Sequence, residues 1–194
     1  MTDSKHLALL AVTAGSALQE IQDIVKRDHS AEARVRFPRG YIRPTSSIRK
    51  RFSFLNNKTL ESNISYLIQL SDVLDWILNR TDISMIAKSM VIKNKYFLLG
   101  AILESVTKVM LKGKCGKPFE GRIDYLALHG MIDDADAGHL KRVWLVRNRF
   151  HMYGCDTTDY TEEFTMGDLN LASEAYGRLI DTLSVQNKSL SRRA

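Results

Sequence analysis

The chain has 194 residues, 44% hydrophobic and 26% charged, with only three prolines and a formal net charge of +6. That size suits one compact domain, or one domain with a sizeable extension, and the composition is that of a soluble globular protein. Scarce proline and few Val/Thr alternations favour helices over strands, so the expected fold is an all-α helical bundle of about five to six helices.

In chain order, the first helix is expected from about Lys5 to Arg27, with Ser4 as its cap. Its apolar stretch from Leu7 to Ala14 is short enough to suggest a signal peptide. However, Asp3 spoils a basic leader, and Leu18, Ile21 and Val25 continue the pattern at helical spacing. Residues 1–58 are therefore taken as an N-terminal helix followed by a basic connector, in which Pro38-Arg39-Gly40 and Arg43-Pro44-Thr45-Ser46 are turn signals.

Residues 59–187 are expected to form the bundle itself. Leu60, Ile64, Leu67, Ile68, Leu74, Ile77 and Leu78 mark one helix. A second starts at Thr81-Asp82 and reaches Leu111, ended by the Gly113–Gly116 turn. Glu104 interrupts its apolar run, so no membrane span is expected. A short helix from about Gly121 to His129 precedes a turn at Gly130 and a capped start at Asp133-Asp134. The next helix runs to His151. Thr165 and Asp168 resemble a capping box for a last helix over 167–184, and the polar tail 188–194 is expected to fray.

Charge is unevenly placed. Lys26 to Lys58 holds ten Lys/Arg against Asp28 and Glu32, a local excess of eight that leaves the rest of the chain at net −2. Arg34, Arg36, Arg39, Arg43, Arg49, Lys50 and Arg51 could bind a polyanion by releasing its counterions, or could simply keep a connector solvated. Phe37, Tyr41, Phe52 and Phe54 interleave with them. They could stack on bases, but packing against the bundle is the expected role. Cys115, Cys155 and the five histidines lack metal-ligand spacing, and no phosphate-binding glycine motif is present. No metal or cofactor is expected, and reduced thiols fit a cytoplasmic protein.

The most informative stretch is Arg147-Asn148-Arg149-Phe150-His151. On a helical wheel Leu140, Trp144, Arg147 and His151 fall within roughly 60°, so two ionisable groups continue an apolar stripe. A guanidinium grips a phosphate with paired hydrogen bonds, and an imidazole exchanges protons near neutral pH. Together they could hold and cleave a phosphodiester, with Arg142, Arg149 and Tyr153 in support. The same residues also have a structural reading. Arg147 could pair with Asp124 or Glu104, and His151 could satisfy the helix C-terminus.

The stretch Arg122-Ile-Asp-Tyr-Leu-Ala-Leu-His-Gly-Met-Ile-Asp-Asp134, followed by Leu140 to His151, resembles the HEPN domain superfamily. The resemblance covers about residues 90–185. It implies a helical bundle, a homodimer and, in many members, a metal-independent ribonuclease of toxin–antitoxin, phage-defence or RNA-processing systems. It assigns Arg147, Asn148 and His151 as the catalytic motif, RNA as substrate and an antitoxin or regulatory protein as a partner. Only three residues separate Arg147 from His151, fewer than in the common motif. Arg122 to Ile132 is also similar to the mannitol-operon repressor family, which implies a non-catalytic regulatory module.

Overall fold

The computed structural model describes residues 3–149 and 165–191, with side chains described as far as Gln186. His151, Tyr153 and Cys155 lie outside the described residues. Within them the regular secondary structure is entirely helical. The elements are α1 (Ser4–Val25), α2 (Thr45–Phe52), a 3-10 turn (Ser53–Leu55), α3 (Lys58–Arg80), α4 (Met85–Met110), α5 (Phe119–Leu128), α6 (Asp134–Asn148) and α7 (Met166–Ser191). No described helix is long and apolar enough to cross a membrane.

The chain divides into two compact units, Met1–Arg39 and Gly40–Ala194. The first contains α1, none of whose residues is buried. Its cap is Asp3 rather than Ser4: the Asp3 carboxylate accepts from the Lys5 amide at 3.0 Å, satisfying one of the free donors at a helix start.

In the second unit α4 is the central rod, packed against α3, α5, α6 and α7, while α6 also packs against α5 and α7. Leu103 and Val106 of α4, Leu140 and Val143 of α6, and Leu179 and Ile180 of α7 are fully buried together. Burying each such side chain contributes about 1.5–3 kcal/mol.

The part of the expected connector beyond Gly40 is folded into this unit, which raises the helix total to seven among the described residues. Ile48 and Phe52, one turn apart on α2, are buried with Phe54 and Leu55, and α2 packs on α3. Packing is thus the role of Phe52 and Phe54. Dense arginines hide this i, i+4 apolar pair in the sequence.

Three other boundaries differ from expectation: α6 stops at Asn148, with Arg149 as its C-cap, short of the expected His151. Thr81 closes α3 instead of opening α4, its hydroxyl donating to the Ile77 carbonyl at 2.6 Å. Helix α7 runs beyond residue 184 to Ser191. The expected capping at Asp133 and Thr165 is present. Asp133 accepts from the Asp136 amide at 2.7 Å, and Thr165 accepts from the Asp168 amide at 3.1 Å. Gly130 ends α5 at φ 64°, and the amides of Gly130 and Met131 return to the Ala127 and Leu126 carbonyls. That closure needs the left-handed conformation glycine adopts without strain, and it aims the chain into α6.

Candidate functional site

Val143 and Val146 turn one side of α6 into the core, leaving Trp144 and Arg147 half-buried at its edge. Trp144 stacks on Phe119 of α5, with ring centroids 4.6 Å apart and planes 17° from parallel. The Arg147 guanidinium lies 4.8 Å above the Trp144 ring, and that of Arg122 lies 5.6 Å from the Phe119 ring. Phe119 and Trp144 therefore form a stacked pair of rings with the guanidinium of Arg122 at one end and that of Arg147 at the other. Its Arg122 end is buried and fixed: Nε donates to Thr107 Oγ1 at 3.1 Å, and Nη1 donates to the Lys117 carbonyl.

The Arg147 end is more open. Nη2 meets Glu104 Oε2 at 3.3 Å, Nη1 donates to Asn148 Oδ1 at 3.1 Å, and the buried Nε has no protein partner. The side chains of Arg147 and Glu104 keep 27% and 33% of their exposure. An ion pair this accessible contributes no more than about 1 kcal/mol, so an anion arriving at Arg147 competes with a weak partner.

Close approach of α4 and α6 makes this geometry possible, and Gly100 permits it. A Cβ at Gly100 would lie 2.9 Å from Arg147 Cβ and 3.0 Å from its Cγ. Glu104 sits one turn beyond Gly100 on the same helix. Glu104 is one of the two carboxylates expected for Arg147, whereas the role of Gly100 emerges only from the packing. A glycine inside a long helix is a usable signal, because it costs about 1 kcal/mol relative to alanine and often marks a close approach. Asp124, the other named carboxylate, pairs instead with Lys141 at 2.5 Å.

Glu104 also lines a cavity of about 830 Å³ between the end of α4 and the loop leading to α5. Lys108, Lys112, Lys117 and Arg122 share its wall, so the lining has an excess of positive charge. Lys108 and Lys112, one turn apart, are the sequence signal for this rim. It lies outside the basic strip from Lys26 to Lys58.

The remaining expected site residues are dispersed. Asn148 joins Arg147. Arg142 reaches toward α7, its Nη2 3.7 Å from Asp168 Oδ2, and is not brought to Arg147. Beside it, burial first and the Asp168 charge second push the Tyr96 phenol above its ordinary pKa. Arg149 caps α6, its amide returning to the Leu145 carbonyl.

The basic strip is divided between the two units, with Arg34, Arg36 and Arg39 exposed in the first. In the second, Arg43 is committed to Asp72, whose side chain is almost fully buried. Its Nη2 lies 2.5 Å from Oδ1, and its amide donates to Oδ2 at 2.9 Å. Arg49 donates to Thr45 Oγ1 and Arg51 to Asp181, while Lys50 lies exposed on α2. Among the described residues no three His, Cys, Asp or Glu side chains come together in a way that could hold a metal ion.

Comparison with family models, curated proteins and solved structures gives no match to this chain. The functional reading rests on the residues themselves.

Proposed function

We propose that the protein is a HEPN-like, RNA-directed endoribonuclease that acts without metal as a homodimer in the cytoplasm. The supporting observation is the shared carboxylate. Glu104 holds the half-exposed Arg147–Asn148 pair on one side and lines a lysine-rimmed cavity on the other. A polyanion lying along Lys108 and Lys112 would bring a phosphate toward the accessible edge of Arg147.

In this reading Arg147 grips the non-bridging phosphate oxygens and Asn148 orients the guanidinium. His151 transfers the proton. A base removes the 2′-hydroxyl proton as that oxygen attacks phosphorus. An acid then protonates the departing 5′-oxygen, leaving a 2′,3′-cyclic phosphate and a 5′-hydroxyl end. One imidazole fills one of these roles, and the second copy in a two-fold dimer supplies the other. Arg149, Tyr153 and Arg142 are assigned to phosphate contact or to orienting the imidazole. The exposed Arg34, Arg36 and Arg39 of the first unit are assigned to phosphate contacts of their own, and an antitoxin or regulator would restrain the activity.

A second reading draws on a different observation. Arg147 is stacked on Trp144, bonded to Glu104 and seated over Gly100, which suits a non-catalytic regulatory module of HEPN or mannitol-repressor type. Incubating the purified full chain with end-labelled single-stranded RNA in EDTA separates the two. The nuclease reading expects cleavage that His151→Ala abolishes while circular dichroism stays unchanged. Cleavage that survives in His151→Ala, or wild-type protein that leaves RNA intact, overturns it.

A further inference from the structure

A smaller cavity, of about 240 Å³, lies among α2, α3, α4 and α7 and shares no residue with the lysine-rimmed one. Ile68 of α3, Leu98 and Ile102 one turn apart on α4, and Leu169 of α7 give it a buried apolar wall. Facing that wall are Arg43, Arg51, Asp75, Lys95 and Tyr176. At about 30 Å³ per water the space equals roughly eight waters, below the range of about 300–1,000 Å³ that holds drug-sized ligands. It admits a compound of about ten non-hydrogen atoms and is too small for a nucleotide.

The cations at this cavity are not equally occupied. Arg43 is engaged by buried Asp72 through Nε and Nη2, and Lys95, itself buried, pairs with Asp75. Arg51 is held more loosely. It meets Asp181 through Nη2 alone at 3.1 Å, and the Asp181 side chain is 72% exposed. Solvent screens such a pair, so about one positive charge is left uncompensated at the cavity.

Beside that charge is a donor without an acceptor. The Tyr176 hydroxyl is buried and has no protein partner. The Arg51 and Arg43 charges both act on the phenol and favour its ionisation, but burial outweighs them and pushes its pKa above the ordinary value. The group therefore keeps its proton and stays a donor. Ser173, on the same wall, already donates to the Leu169 carbonyl at 2.7 Å and offers no acceptor-free O–H. Gly177 adds no side chain, and a Cβ there would meet nothing within 4 Å, so the space next to Tyr176 is open.

We propose that this cavity binds a small carboxylate with an apolar body, the carboxylate between Arg51 and the Tyr176 hydroxyl and the body against Ile68, Leu98, Ile102 and Leu169. One negative charge matches the one left over. A phosphate dianion would exceed it and leave the apolar wall unfilled. The inference does not rest on the RNA reading and uses none of the residues assigned to it.

The test is titration calorimetry on the full chain with benzoate, hexanoate, benzamide and inorganic phosphate. The two carboxylates are expected to bind once per chain. Benzamide, which has the shape without the charge, and phosphate, which has charge without the body, should bind at least about tenfold more weakly. Tyr176→Phe should weaken the carboxylates by about tenfold or more, because a hydrogen bond to a charged group is lost. The urea midpoint of the free variant should nevertheless equal or exceed that of wild type, since the hydroxyl removed has no partner. Arg51→Met should lose affinity to a similar degree with its midpoint nearly unchanged, as the Asp181 pair is accessible. A purely structural role for either residue would move the midpoint and not the affinity. The inference is overturned if neither carboxylate binds at up to about 10 mM, or if benzamide or phosphate binds as tightly. Undiminished carboxylate affinity in Tyr176→Phe or in Arg51→Met overturns it as well.

Discussion

The two ends of α6 carry the same kind of partner pair in opposite conditions. At the N-terminal end Arg178 of α7 grips Asp136 with two bonds, Nη2 to Oδ1 at 2.6 Å and Nε to Oδ2 at 2.9 Å. The Asp136 side chain is almost fully buried. At the C-terminal end Arg147 meets Glu104 through a single 3.3 Å contact, both groups remain accessible, and the Arg147 Nε is left unpartnered. In the first pair both oxygens of a buried carboxylate are engaged, and those hydrogen bonds hold the Asp136 carboxyl below its ordinary pKa. The second has a donor to spare. A two-bond pair on a buried carboxylate fixes a helix, whereas a single-contact pair on an accessible carboxylate beside a cationic cavity can exchange its partner for a ligand.

Variants can break or sharpen that contrast. The largest stability loss is expected midway, where Leu140 is fully buried between the two ends. Leu140→Ala should cost about 2–5 kcal/mol in urea denaturation, because the packed core cannot collapse into the space. Gly100→Ala should cost about 1–3 kcal/mol by pressing a methyl against Arg147 Cβ, offset by about 1 kcal/mol of helix propensity. A variant as stable as wild type would mean that α4 and α6 separate freely there.

The closed pair has a pH signature. Arg178 bonding, opposed by burial and aided by the Arg178 and His139 charges, depresses the Asp136 pKa. A depressed carboxyl contributes stability that is complete above its unfolded value, near 3.8, and is lost as pH falls through the lower folded value. Thermal melts below that pH should therefore fall more steeply for wild type than for Asp136→Asn, which is less stable at neutral pH but flatter in acid. Parallel acid limbs would remove Asp136 from the account.

The smallest stability effect belongs to the open end. Arg147→Ala should change unfolding free energy by no more than about 1 kcal/mol, as an accessible ion pair is lost and a buried unsatisfied nitrogen goes with it.

Much of the bundle was legible in the sequence. The periodic apolar residues of α3 and α6, the Gly130 turn and the caps at Asp133 and Thr165 follow from local rules that hold without tertiary help. What was not legible depends on partners distant in sequence. The Ile48–Phe52 pair was masked because arginine propensity says nothing about which face is buried, and Arg43 was counted as an anion binder because Asp72 lies 29 residues away. Of the site, the pairing of Arg147 with Asn148 follows from adjacency. The Gly100 contact and the lysine rim exist only once α4 lies against α6.

The account turns on Arg147 being an available group and not a strut, so the decisive measurement pairs two readouts on Arg147→Ala: RNA cleavage in EDTA and the urea midpoint. Cleavage reduced by at least an order of magnitude, with a midpoint close to wild type, is the result the open-end reading predicts. Cleavage at the wild-type rate with a markedly lower midpoint would contradict it and make Arg147 a structural residue.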